Sequence, residues 1–191
     1  LYAENHLGTS APSDILLIQT EAEVPSGRPQ EVSAEPLGPQ QLLITWRPPE
    51  RETWNGELLG YTISYQKHGF AEAVQNFTKV SSLGGEGLND FRLTGLEKYT
   101  QYAVTVSAFN VKGDGPHSEI ALGHTLEDVP SAPPQTVSCA ALSAQNIQIT
   151  WQAPPKESNH GIIQGYKLFY EPGNLESEYG SRETKITSSL N

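Results

Sequence analysis

VPSGRPQEVSAEPLGPQQLLITWRPPERETWNGELLGYTISY, residues 24–65, returns as VPSAPPQTVSCAALSAQNIQITWQAPPKESNHGIIQGYKLFY, residues 129–170. The two stretches align without a gap at a constant offset of 105 residues, and 18 of 42 positions are identical. Trp46 falls on Trp151, Gly56 on Gly161, Gly60 on Gly165 and Tyr61 on Tyr166. Self-similarity at a fixed spacing marks one structural unit used more than once, so fold and function must be read per unit.

Within the unit the pattern is that of short strands between Gly, Pro and Asn punctuation. Residues 31–35 form a first strand. Leu42, Ile44 and Trp46 alternate with Leu43 and Thr45, which puts one face of a second strand inward. Pro48-Pro49 stops it, because proline has no ladder donor. Asn55-Gly56 supplies a turn with positive φ. Tyr61, Ile63 and Tyr65 line a third strand, and residues 77–83 an edge strand. The Gly84-Gly85-Glu86-Gly87 loop leads to an inward Phe91 and Leu93. Tyr102, Val104, Val106 and Ala108 face inward on a sixth strand, and Ile120 and Leu122 on the last. Seven strands of period two, without a helical pattern, predict an all-β sandwich.

The same offset extends to both ends. Ala3, Asn5, Gly8, Ser13, Ile15, Leu17 and Thr20 correspond to Ala108, Asn110, Gly113, Ser118, Ile120, Leu122 and Thr125. The expected division is therefore the closing strands of one module in 1–24, a complete module in 25–127 and the opening strands of another in 128–191. In the last, the register moves by one after Tyr170, and Thr78-Lys79-Val80 reappears as Thr184-Lys185-Ile186. Proline-bearing linkers, residues 20–30 and 125–135, should be semi-stiff. Two part-modules with unpaired ladder groups raise the expectation that 1–24 and 128–191 complement one another between neighbouring chains.

Composition narrows the function classes. The net charge is −10 with 12 Lys and Arg in 191 residues and no basic cluster, which argues against a nucleic-acid partner. No run of about 18 apolar residues occurs, so no segment here reads as a membrane span, and LYAENHLGTS lacks a signal-peptide pattern. The single Cys139 leaves no intrachain disulfide and no cysteine-based metal site. Cys139 matches Ala34 and shares the inward phase of Val137, so a small buried core residue is expected. His6, His68, His117, His124 and His160 are scattered without metal-ligand spacing, and no phosphate loop, nucleophile elbow or catalytic carboxylate pair is present. No cofactor, metal or catalytic residue is expected.

A Trp on the second strand, Gly60-Tyr61-Thr62-Ile63-Ser64-Tyr65, Leu96 six residues before Tyr102, and the N-x-x-G-x-G-P-x-S run from Asn110 to Ser118 together resemble the fibronectin type III module. That resemblance covers the whole chain. It implies a seven-stranded immunoglobulin-like sandwich with a core around Trp46, Tyr61, Ile63, Leu96 and Tyr102, repeated at Trp151 and Tyr166. Tyr102 would be the tyrosine corner, its hydroxyl bonding to backbone near Leu96. WNGELLGY (54–61), VPSAPPQ (129–135) and HGIIQGYKLFYEP (160–172) resemble more narrowly the stalks of immunoglobulin-superfamily adhesion receptors. Sidekick, contactin and receptor phosphatase ectodomains share much of that pattern.

The resemblance implies an extracellular stalk of a single-pass cell-surface glycoprotein. Such a receptor serves cell–cell recognition in neuronal wiring and, in arthropods, immunity, with homophilic specificity carried mainly by immunoglobulin domains. The ectodomain of a receptor tyrosine phosphatase and an intracellular sarcomeric array are the alternatives.

Three surface features are candidates for function. Asn76-Phe77-Thr78 is an N-glycosylation acceptor on the expected edge strand, where a glycan would discourage edge pairing. An unmodified intracellular protein is the other reading. Trp54, where the repeat has Asn159, either anchors a protein partner or folds onto its own loop at Pro48 and Pro49. Lys112-Gly113-Asp114 stands where some such modules present an integrin-binding Arg-Gly-Asp, although a loop of this kind also needs glycine for its turn.

Overall fold

The computed structural model of the chain describes residues 1–18, 20–69, 76–81 and 87–170, and the backbone of 183–187. The expected Gly84-Gly85-Glu86 turn and Leu83 lie outside the described residues. Two strands, β1 (Glu4–Asn5) and β2 (Gly8–Thr9), form a small hairpin. The central body runs through β3 (Gln30–Gly38), β4 (Gln41–Arg47), β5 (Gly60–Lys67), β6 (Asn76–Ser81), β7 (Asn89–Thr94), β8 (Gln101–Asn110), β9 (Gly113–His117) and β10 (Ala121–His124). The downstream repeat contributes β11 (Gln135–Ala141), β12 (Ile147–Gln152), β13 (Tyr166–Tyr170) and β14 (Glu183–Thr187).

Two sheets make the central sandwich. One has the order β3-β4-β7, the other β10-β8-β5-β6, with β9 also on β8. Every pairing is antiparallel. The alternation written into L-L-I-T-W-R is obeyed along β4, where Leu42, Ile44 and Trp46 are buried and the residues between are not. They meet Tyr61 and Ile63 from β5, Leu93 from β7, and Tyr102, Val104, Val106 and Ala108 from β8. Trp46 stands edge-on to Tyr61 with ring centroids 5.2 Å apart. Each such side chain contributes roughly 1.5–3 kcal/mol on burial, which makes this cluster the main source of stability.

Leu96, also buried, marks the loop entering β8. One residue on, the Glu97 N–H donates to the Tyr102 hydroxyl at 2.9 Å, the tie of a tyrosine corner. Burial pushes the Tyr102 hydroxyl above its ordinary pKa, and the Glu97 N–H offsets part of that rise.

Three expectations need correction. The last strand is broken in two, β9 and β10, and its inner face is not Ile120 and Leu122, which are 68% and 50% exposed. Gly123 and Thr125 are the buried positions instead. The reason is steric: a Cβ on Gly123 would lie 2.8 Å from the Ala34 Cβ and 2.9 Å from Leu42 Cδ1, so β10 can turn only its small residues towards β3.

Cys139 is exposed, as is its neighbour in phase Val137. Trp151 and Tyr166, expected in a core, are half-buried above an apolar groove of about 260 Å³ that Val137 and Ile149 also line. In the central sandwich Val104 and Val106 complete the core around Trp46. Positions 105 residues further on lie beyond the 191-residue sequence. Within the single chain, among the described residues, β1 and β2 pair only with each other and β11–β14 only among themselves, which leaves the expected complementation to neighbouring chains.

Candidate functional site

Local geometry repeats as faithfully as the sequence does. Glu31 and Thr136, 105 residues apart, take φ of 50° and 51° and mark the same register shift in β3 and β11. Ser33 bonds Thr45 at 2.8 Å, and Ser138 bonds Thr150 at 2.8 Å. Arg51–Thr53 and Lys156–Ser158 are matching 3₁₀ turns, followed by Asn55 and His160 at φ of 50° and 49°. The upstream hairpin follows suit: Asn5 Oδ1 accepts from the Leu7 N–H, as Asn110 Oδ1 does from the Lys112 N–H, both at 2.8 Å.

That repeated 3₁₀ turn is where the incoming linker docks. The Glu23 N–H donates to the Asn55 carbonyl and the Ser26 N–H to the Thr53 carbonyl, each at 2.9 Å. In the downstream copy the Asp128 and Ser131 N–H groups donate to the His160 and Ser158 carbonyls, at 2.8 and 2.9 Å. Side chains add to both. Asn55 Nδ2 donates to the Val24 carbonyl and Asn110 Nδ2 to the Glu23 carbonyl, while Glu127 Oε1 accepts from the Ile162 N–H at 3.1 Å. A Cβ on Gly161 would sit 3.0 Å from Glu127 Cδ, so a side chain there would crowd the carboxylate that holds the Ile162 N–H.

The second linker is also held from behind. Thr125 is fully buried, and its hydroxyl donates to the Glu97 carbonyl at 2.8 Å and accepts from the Thr100 N–H at 2.9 Å. The Leu126 N–H reaches the Gly38 carbonyl at 3.1 Å, and the Leu126 carbonyl takes the Tyr99 N–H at 3.2 Å. Tyr99 reaches this position at a φ of 46°, with its ring edge-on to His124.

Asp128 belongs to both sides. Its backbone is bonded to His160 downstream, and its carboxylate meets Lys98 Nζ of the central sandwich at 2.8 Å. The Lys98 ammonium, with the Val129 N–H at 2.8 Å, holds the Asp128 carboxyl below its ordinary pKa of 3.8. Lys98 and Asp128 are thus the principal pair at the joint. Sequence reasoning missed them, although an acidic residue before V-P-S in both copies, Glu23 and Asp128, was a visible signal.

The sequence-derived candidates fall elsewhere. Trp54 is laid on its own loop: its indole N–H donates to the Pro49 carbonyl at 2.8 Å, and the Arg51 guanidinium lies 5.9 Å from its ring. Lys112-Gly113-Asp114 is not a free loop tip. Gly113 and Asp114 pair with β8, Asp114 accepts from Thr62 and Lys79, and Lys112 faces Glu21 at 3.7 Å. Asn76 opens β6 and is exposed. No group of three His, Cys, Asp or Glu side chains is placed to hold a metal among the described residues. No described helix is long and apolar enough to cross a membrane.

Comparison with known proteins agrees with this geometry. The chain is 45% identical over 190 residues to "Cell adhesion molecule Dscam2" of Drosophila melanogaster, covering 98% of this chain and 9% of that protein. It is 38% identical over 189 residues to human "Cell adhesion molecule DSCAM", again 98% of this chain and 9% of the relative. Among solved structures, the FN1-FN3 domains of chicken CNTN1 share 29% identity at a TM-score of 0.51, over 97% of this chain and 60% of that one. The chain thus spans about a tenth of the length of the curated relatives it matches. A family model, "Fibronectin type III domain", matches residues 27–123. Two sheets closing on Trp46, a corner tied at Tyr102 and that match lead to one conclusion: the chain belongs to the fibronectin type III domain family.

Proposed function

We propose that this chain is a spacer segment in the extracellular stalk of a cell-adhesion receptor acting in cell–cell recognition. Its units are the closing strands of one module in 1–24, a complete module in 25–127 and the opening strands of the next in 128–191. The names of the relatives support the receptor class. The lack of any assembled catalytic constellation in the sequence supports a non-enzymatic role. Partners are related adhesion receptors, engaged through the whole protein, and membrane attachment lies in other parts of it.

The observation that carries the spacer reading is the double tethering of the second linker. Residues 125 and 126 are bonded to the preceding sandwich, 127, 128 and 131 to the following repeat, and Asp128 to both. A linker bonded along its length loses the freedom of a random coil, so it transmits orientation from one module to the next. A stalk of such joints sets the reach and bend of the domains it carries.

The test is a distance distribution between spin labels on the two modules flanking this linker, in the receptor ectodomain. A single narrow distribution is expected, broadened by the pair of substitutions Lys98→Ala and Gly161→Val. A distribution in the unmodified ectodomain as broad as that of a glycine-serine linker of equal length would end the spacer reading.

A further inference from the structure

We propose that Asn76 is an N-glycan acceptor whose sugar guards the free edge of β6. Asn76-Phe77-Thr78 is the only N-x-S/T tripeptide in the 191 residues. Glycosylation there has the side-chain amide Nδ2 displace a lipid diphosphate from C1 of a lipid-linked oligosaccharide. One proton is lost from the amide, and the new bond joins Nδ2 to the sugar.

Placement suits the modification. Among the described residues β6 is bonded on one side only, to β5, which makes it an edge strand of the described sheet. Along its inner face Val80 packs on the core and Thr78 is half-buried, yet Asn76 is exposed. An exposed side chain at the first residue of β6 lets a sugar occupy solvent without displacing a buried core residue.

On the opposite face Phe77 is 71% exposed. An apolar ring beside an open edge is the combination that recruits a foreign strand, and natural sheets block such edges. A hydrated glycan one residue away obstructs that approach.

The inference rests on the extracellular placement proposed above, because the transferase works only on chains entering the secretory route. The experiment is peptide mass spectrometry on the 191-residue chain secreted from a eukaryotic cell. The peptide spanning Asn76 should carry hexosamine, and peptide-N-glycosidase in heavy-oxygen water should return it as labelled aspartate. Thr78→Ala should abolish the modification while leaving Asn76 in place.

A secreted unmodified chain whose Asn76 peptide is bare would overturn the acceptor assignment. For the guarding role, glycosylated and glycosidase-treated wild-type chain are compared by sedimentation. More self-association after treatment is expected, and identical profiles would refute it. Protease shaving of intact receptor-bearing cells reads the extracellular placement separately, so failure of that placement is distinguishable from failure of the site.

Discussion

Trp46 and Trp151 occupy equivalent places in two copies of one sequence and make the same ring contact. Trp46 meets Tyr61 at 5.2 Å and 65°, and Trp151 meets Tyr166 at 5.3 Å and 66°. Their burial differs: Trp46 is 1% exposed and Trp151 half-buried. The ring pair is dictated locally, by the phase of the strand carrying each Trp and of the strand carrying each Tyr. Burial is dictated by β8, which supplies Tyr102, Val104 and Val106 around the first pair.

Substitution at the tryptophans should break this comparison most sharply. Trp46→Ala removes a large side chain from a closed core and should cost about 3–5 kcal/mol, enough to abolish cooperative unfolding of the central module in denaturant. Trp151→Ala, where the ring is already part-solvated, should leave that transition unmoved. Equal losses would mean that burial is not what separates the two sites.

Next in size are two changes confined to the central sandwich. Gly60→Ala places a Cβ 2.1 Å from the Val80 carbonyl oxygen, backbone that cannot rotate away, and should cost about 1–3 kcal/mol as β5 and β6 part. Tyr102→Phe removes the acceptor of the Glu97 N–H and should cost roughly 1–3 kcal/mol, seen as a lower denaturation midpoint at unchanged slope.

The smallest effect belongs to the joint. The folded-state pKa of Asp128 is depressed, so its tie to Lys98 is fully present above the ordinary carboxylate value of 3.8 and is lost as pH falls through the lower, held value. Inter-module distances should therefore be constant from neutrality down to about pH 5 and broaden only in stronger acid. High salt should broaden them at neutral pH as well, because the pair is part-exposed. The melting transition should move little in either case, since exposed ion pairs contribute little to stability.

Legibility followed the range of the interaction. The Leu42-Ile44-Trp46 and Tyr102-Val104-Val106-Ala108 faces could be read because alternation is imposed by the pleat itself. The phase of β10 could not. Ile120 and Leu122 look inward on hydrophobicity, but the decision rests on the closeness of Ala34, some 90 residues earlier in the chain. Cys139 was misread for a related reason: its inward phase is real in pattern, yet nothing among the described residues covers it. At the joint, Lys98 and Asp128 carry no local motif and meet only because the Tyr102 corner and the buried Thr125 bring their segments together.

By itself the sequence determined the repeat, the phases of β4, β5 and β8 and the positive-φ turn at Asn55-Gly56, because each depends on residues a few places apart. Only the tertiary structure decided which face of the last strand turns inward and which lysine meets the linker. Those outcomes depend on groups brought together from distant parts of the chain, where burial and close approach outweigh local preference.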